Sequence, residues 1–193
     1  MSQRPSDKKA NRVRNDRFDN KNNFDLGRPR LMFALWYFFK CGFFLSPLPW
    51  PTGLKLFLLR RFGAKVGRGI YIKPRVNIHI PWKLEIGDYV WIGEEALILN
   101  LAHITIGSHV CISQRAFLCA GNHDYRDEGM KYMNRPIVIE DGAWIGAQVF
   151  VAAGTTVGFE SVVTAGSIVT RSLPAEMICS GYPCKPIKAR WPA

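Results

Sequence analysis

An aliphatic residue returns every six positions through most of the second half of this chain. Four stretches show the unit: Ile86-Gly-Asp-Tyr-Val-Trp-Ile92, Ile106-Gly-Ser-His-Val-Cys-Ile112, Ile139-Glu-Asp-Gly-Ala-Trp-Ile145 and Val157-Gly-Phe-Glu-Ser-Val-Val163. The ladder then continues unbroken through Ile139, Ile145, Val151, Val157, Val163 and Val169. Six is neither the helical period of about 3.6 nor a strand alternation. It is the period of a parallel β-helix, in which a short strand and a corner make one side and three sides close a coil. The aliphatic residue is expected to point at the solenoid axis and stack on its counterpart one coil away. Gly, or a small residue near the corner, is expected to let the backbone turn. One coil cannot bury its own apolar face, so its neighbours must cover it.

The breaks in the ladder are informative. It runs Val66, Ile72, Ile78 and then jumps eight residues to Ile86; Ile86, Ile92, Ile98 and then eight to Ile106. Each jump predicts two extra residues at a corner, near Pro81-Trp82 and near Leu101-His103. After Ile106, Ile112 and Leu118 the next rung is Ile139, twenty-one residues on. A loop over 119–136 must therefore leave the coil, carrying Gly121-Asn-His-Asp-Tyr-Arg126. Long loops in a regular solenoid usually carry function or are disordered, and the histidine points to function. The chain divides into a basic tail over 1–30, an apolar helical segment over 31–62, the β-helix over 63–176 and a C-terminal extension over 177–193.

Composition adds three points. Net charge is +11 over 193 residues, which suits phosphates, nucleotides or a membrane surface. Residues 1–30 hold nine Lys/Arg against four Asp/Glu and few apolar side chains, the mark of a disordered tail. No aromatic–basic stacking motif accompanies the charge, so nucleic acid is not an expected partner. The five cysteines, at 41, 111, 119, 179 and 184, form no C-x-x-C pair, which supports neither a disulfide framework nor a structural zinc site. A reducing, cytoplasmic setting is the simplest reading. The first apolar run, Leu31-Met-Phe-Ala-Leu-Trp-Tyr-Phe-Phe39, starts too late for a secretion leader and is short for a span, which needs about 20 residues. It reads as a helix capping the open end of the solenoid, or as one lying on the inner face of a membrane with Arg28, Arg30, Arg60 and Arg61 toward anionic lipid.

Several further motifs carry a resemblance: Phe62-Gly-Ala-Lys-Val-Gly67, Pro81-Trp-Lys-Leu-Glu-Ile-Gly-Asp88, Ser113-Gln-Arg-Ala-Phe-Leu-Cys119, Asn122-His-Asp-Tyr125 and the ending Gly181-Tyr-Pro-Cys-Lys-Pro-Ile-Lys188. With the hexads they make the chain resemble the hexapeptide-repeat acyltransferases over about residues 31–190, most of all the acetyltransferases of exopolysaccharide synthesis. The resemblance implies a left-handed parallel β-helix, a homotrimer, and acetyl-CoA as acyl donor with no metal. It also implies a sugar acceptor, either free, nucleotide-linked or lipid-linked.

Acetyl transfer to a hydroxyl needs a base, a donor for the developing oxyanion, and a groove that aligns both substrates. His123 is the candidate base, since imidazole titrates near neutral pH. Asp124 or Asp127 is available to orient the ring. The oxyanion donor is expected to be a backbone N–H, and the resemblance points to Ala147, where many relatives carry Ser. It places Trp144 along the pantetheine arm, although an outward aromatic at a subunit contact would look the same. It lines the groove with Gly146, Ala147, Ala165 and Gly166, and sets Thr170, Arg171, Lys185 and Lys188 toward the adenosine phosphates. Glu94, Glu95 and Asn100 lie one coil beneath the loop and, with Asp124 and Tyr125, are candidates for the sugar. Arg126 and Arg135 are candidates for a phosphate. His79 and His109 are expected on the outer surface, and His103 in a corner bulge near the groove. Zinc carbonic anhydrases share the fold but need three converging histidines, two of them close in sequence; here the spacings are 24, 6 and 14 and only His123 sits on a protruding loop, so that reading stays the alternative.

Overall fold

The computed structural model describes residues 13–19 and 24–192. Three parallel sheets wrap one axis. The first face stacks Lys65–Val66, Leu84–Ile86, Ile104–Ile106, Ile137–Ile139 and Thr156–Val157. The second stacks Tyr71–Ile72, Trp91–Ile92, Cys111–Ile112, Trp144–Ile145, Val162–Val163 and Met177–Gly181, with Cys184–Ala189 closing it antiparallel. The third stacks Asn77–Ile78, Leu97–Leu99, Phe117–Cys119, Phe150–Ala152 and Ile168–Val169.

The ladder pairs rung on rung. On the second face Ile72, Ile92, Ile112, Ile145, Val163 and Cys179 lie in register, all buried. Full burial of each such side chain stabilises by about 1.5–3 kcal/mol. A second inward position follows four residues after each rung, where Val90, Ala96, Val110, Ala116, Ser161 and Ser167 are buried.

The glycine after the rung does not supply the turn. At Gly87 a Cβ would lie 2.7 Å from Gly107 C and Ser108 N of the next coil, so this position is glycine because coils approach closely there. The turn is made three residues after the rung, where Tyr89, Glu95, His109, Arg115, Gln148 and Glu160 take positive φ and Gly142 and Gly166 do so more cheaply.

The N-terminal segment covers the first coil. Helix α1 (Arg30–Phe39) continues into a π turn over Lys40–Phe44, and α2 (Thr52–Arg61) follows. Trp36, Phe44, Leu58, Leu59 and Phe62 join the core. One polar side chain meets the exposed strand edge of each face. Arg60 donates to the carbonyls of Val66 and Gly67, Lys55 Nζ to Ile72 and Lys73, and Trp36 Nε1 to Ile78 and His79. An open sheet end is a template for unwanted pairing, and this cap closes it. Burial holds the Lys55 and Lys40 ammonium groups below the ordinary lysine range. At the far end Arg190 donates to the carbonyls of Gly142 and Glu160.

Within 1–30, residues 1–12 and 20–23 lie outside the described set. Residues 13–19 rest on the 119–136 loop: Arg14 N–H donates to Glu128 O at 2.8 Å, and Arg17 pairs with Glu128 at 2.6 Å. The five cysteines are unpaired.

Candidate active site

The three insertions into the hexad occur at one corner, between the third and first faces. Pro81–Lys83 forms a 3-10 turn there, residues 100–103 bulge there one coil on, and 119–136 leaves there from the next. The inserted chain therefore stacks along a single edge of the prism. Thr170 and Arg171, which join the last third-face strand to Leu173 beside Val157, lie on this edge too and are exposed.

The loop is a short hairpin. Asp124 N–H donates to Lys131 O at 2.9 Å, Met133 N–H to Asn122 O at 2.8 Å, and His123 faces Tyr132 across the pair. The His123 ring is half-buried, with its centroid 4.8 Å from Tyr132 and 5.6 Å from Phe18. Its Nδ1 lies 2.6 Å from the carbonyl oxygen of Met130. The sequence offers Asp124 or Asp127 to orient the ring, but the Met130 carbonyl holds it instead. Asp124 accepts from the Arg126 N–H, and Asp127 from the N–H groups of Gly129 and Lys131, so both stabilise the hairpin turn. Tyr125 and Arg126 are exposed at its tip, the guanidinium 5.6 Å from the phenol ring.

A second edge, between the second and third faces, gathers another part of the predicted set. Gly146, Ala147, Ala165 and Gly166 stack here on adjacent coils, above Gln114, Arg115, Glu94 and Glu95. Glu94, Glu95, Gln114, Arg115, Ala147 and Gln148 line a depression of about 330 Å³. The Ala147 carbonyl accepts from Gly166 N–H at 2.8 Å, while its own N–H has no acceptor among the described residues. A Cβ on Gly166 would meet nothing within 4 Å, so the edge is open. Ser180, bonded to Thr164 at 2.6 Å, pairs with Lys185 and so brings that lysine to the upper end of the same edge.

Other predicted residues fall elsewhere. Lys188 pairs with Ile178 near the opposite end of its strand and is exposed. Trp144 faces outward on the second face with Nε1 donating to Ser113 Oγ at 2.9 Å. Glu95 is engaged by Arg115 at 2.6 Å and Arg75 at 3.1 Å, and these guanidiniums hold its carboxyl below the usual range. Asn100 is a correction. It was expected on the surface toward the sugar, but it is fully buried. Strand alternation carries inward past the rung, so Ile98 and Asn100 share a side. Its amide accepts from the Ile80 N–H at 2.8 Å and donates to the Ile80 carbonyl.

His109 stacks on Tyr89 at 5.2 Å, and His103 is exposed on the loop edge. His79 faces outward from the coil but lies under α1, 5.5 Å from Phe33. Burial, with Lys40 nearby, lowers its pKa to about 4. Among the described residues no group of three His, Cys, Asp or Glu side chains is placed to hold a metal. Met130, Tyr132 and Phe18 escaped sequence reasoning. The only signal for Tyr132 was an aromatic nine residues after the histidine, and a carbonyl partner such as Met130 leaves no signal at all.

Known proteins share both the repeat and the shape. The family described as the hexapeptide repeat of succinyl-transferase matches residues 136–171. The putative colanic acid biosynthesis acetyltransferase WcaF of Escherichia coli is 46% identical over 136 residues, which span 70% of this chain and 75% of that protein. The galactoside O-acetyltransferase of E. coli is 31% identical over 68% of this chain and 66% of its own length. The hexapeptide-repeat acetyltransferase of Vibrio cholerae, solved with acetyl coenzyme A, superposes with a TM-score of 0.77 at 27% identity, covering 84% of this chain and 89% of the other. Repeat, left-handed β-helical architecture and these likenesses agree, and the chain belongs to the hexapeptide-repeat acetyltransferases.

Proposed function

We propose that the protein moves an acetyl group from acetyl-CoA to a sugar hydroxyl in polysaccharide assembly, with His123 as general base. The observation that carries this reading is the 2.6 Å contact from His123 Nδ1 to the Met130 carbonyl. A carbonyl only accepts, so Nδ1 carries the proton and the neutral ring presents Nε2 with its lone pair free. That is the tautomer a base needs. Acetyl-CoA supplies the activated acyl group as a thioester. His123 Nε2 takes the acceptor hydroxyl's proton as the oxygen attacks, while the Met130 carbonyl holds Nδ1–H and steadies the imidazolium. Nε2 then returns the proton to the departing sulfur. The unengaged Ala147 N–H is suited to donate to the oxyanion that develops at the acetyl carbonyl. Lys185 offers a cation at the end of that edge, as a phosphate-bearing donor requires.

His123, Thr170 and Arg171 stand on one edge of the prism, and Ala147, Ala165, Gly166 and Lys185 on another. No hydrogen bond or ring contact among the described residues joins the hairpin to Ala147. In this reading a site holding both forms where the loop edge of one copy meets the Ala147 edge of the next. A closed ring of copies satisfies this for every such pair, and the homotrimer that the family resemblance implies is one such ring. The sugar acceptor is supported by relatives named for galactoside and colanic acid chemistry.

The test is thiol release from acetyl-CoA against a panel of sugars and polysaccharide precursors. The reading expects one sugar class to accelerate release, and His123→Ala to lower kcat by about 10²–10⁴-fold with assembly intact. More than about a tenth of wild-type turnover in that variant would reject the base assignment. Acceleration by amines but by no sugar would reject the acceptor.

A further inference from the structure

The cap has a second face. Helix α1 places Trp36, and the π turn after it Lys40, against the solenoid, with Leu31, Leu35 and Phe38, at i, i+4 and i+7, on the outer side. Leu31 is 72% exposed and Phe38 74%, and on α2 Phe57 is 62% exposed. Capping therefore leaves part of the apolar content of this segment facing outward. The core does not explain the rest.

The charge around it is one-sided. From Leu26 to Leu84 there is no Asp or Glu, while the same stretch carries eleven Lys and Arg residues. Two of these, Arg28 and Arg30, sit exposed at the start of α1, and Arg61 is exposed at the end of α2. Glu85, Asp88 and Glu95 on the next coil pair with Lys65, Arg68 and Arg75 of the first coil, whereas Arg28, Arg30 and Arg61 form no ion pair among the described residues. No helix among the described residues is long and apolar enough to cross a membrane. An outward apolar stripe on a short helix, flanked by the exposed and unpaired Arg28, Arg30 and Arg61, matches a surface that lies in the headgroup region of an anionic bilayer.

We infer that the outer face of α1, with its flanking arginines, docks the protein on an anionic lipid bilayer. The apolar side chains enter the interface, and Arg28, Arg30 and Arg61 meet lipid phosphates. A second copy of the chain is the competing occupant of the stripe, but the exposed Arg28, Arg30 and Arg61 beside it oppose self-contact. This inference stands independently of the acetyl-transfer chemistry, because it uses no residue of that site.

The experiment is cosedimentation of the full chain with vesicles of phosphatidylcholine alone, and of phosphatidylcholine mixed with phosphatidylglycerol. The docking face predicts binding to the mixed vesicles and little to the neutral ones, weakening as ionic strength rises from about 0.1 M toward about 1 M. Leu35→Ser with Phe38→Ser should weaken binding by roughly tenfold or more, since two large exposed apolar groups are lost. Arg30→Glu with Arg61→Glu should weaken it by at least roughly fivefold per site without touching the stripe. Both variants should keep the wild-type circular dichroism and assembly state. Binding that is absent, equal on neutral vesicles, or unchanged in both variants overturns the inference. A change of assembly state in the serine variant with vesicle binding intact also overturns it, and assigns the stripe to a second copy.

Discussion

Lys55→Met tests how the solenoid is closed. The Lys55 ammonium is fully buried and donates to Ile72 O at 3.2 Å and Lys73 O at 2.9 Å, the strand edge of the second face. Hydrogen bonds from a charged donor are worth about 1.5–3 kcal/mol each, so the gross loss is about 3–6 kcal/mol. Methionine fills similar space and need not be stripped of water, which returns part of that sum. A net destabilisation of about 2 kcal/mol is expected, from two edge carbonyls left without partners. Guanidinium titration at fixed protein concentration should show a lower midpoint with an unchanged slope. Amide exchange should quicken first in the first coil. A variant within about 0.5 kcal/mol of wild type, or more stable, would show that apolar packing of Trp36, Phe44 and Leu59 closes the end without this lysine.

Three further expectations follow from separate features. Gly87→Ala places a Cβ 2.7 Å from the next coil's backbone and should cost about 2–3 kcal/mol, whereas Gly166→Ala, at φ +71° in open space, should cost about 1 kcal/mol; equal effects in thermal melts would reject the close-approach account. The His79 pKa is about 4 against an ordinary 6.5, so the unfolded chain binds the proton first as pH falls. Stability is therefore full above about 6.5 and declines toward about 4, by at most about 3 kcal/mol. His79→Gln should flatten that slope in urea titrations across the window, and an unchanged slope would refute the burial argument. Lys185→Glu should raise the KM for acetyl-CoA several-fold and leave the acceptor's unchanged, and equal changes in both would count against its phosphate role.

The rungs were legible because each aliphatic side chain answers a strict geometric demand, and Ile86, Ile92 and Ile98 could be assigned to three faces by counting. The jumps of eight and twenty-one likewise located the bulges and the loop. What stayed hidden depends on main-chain partners. Nothing in Asn122-His-Asp-Tyr125 announces that a carbonyl eight residues after Asn122 holds the ring, so the aspartates drew attention instead. Asn100 was misplaced because its polarity suggested solvent, although two-residue alternation from Ile98 puts it inside. The cap's edge-closing trio lies outside any repeat. A single cation inside Leu54-Lys-Leu-Phe-Leu-Leu59 was its one available sign.

The claim that one copy's His123 works against the next copy's Ala147 is tested most directly by complementation. His123→Ala removes the base, and Ala147→Pro removes the N–H that stands free on the other edge. Each is expected to be inactive alone. Co-assembled at equal amounts, random mixing gives about one site in four with both groups intact, so thiol release should return to about a quarter of the wild-type rate. Mixed assemblies no more active than either parent would contradict a site shared between copies.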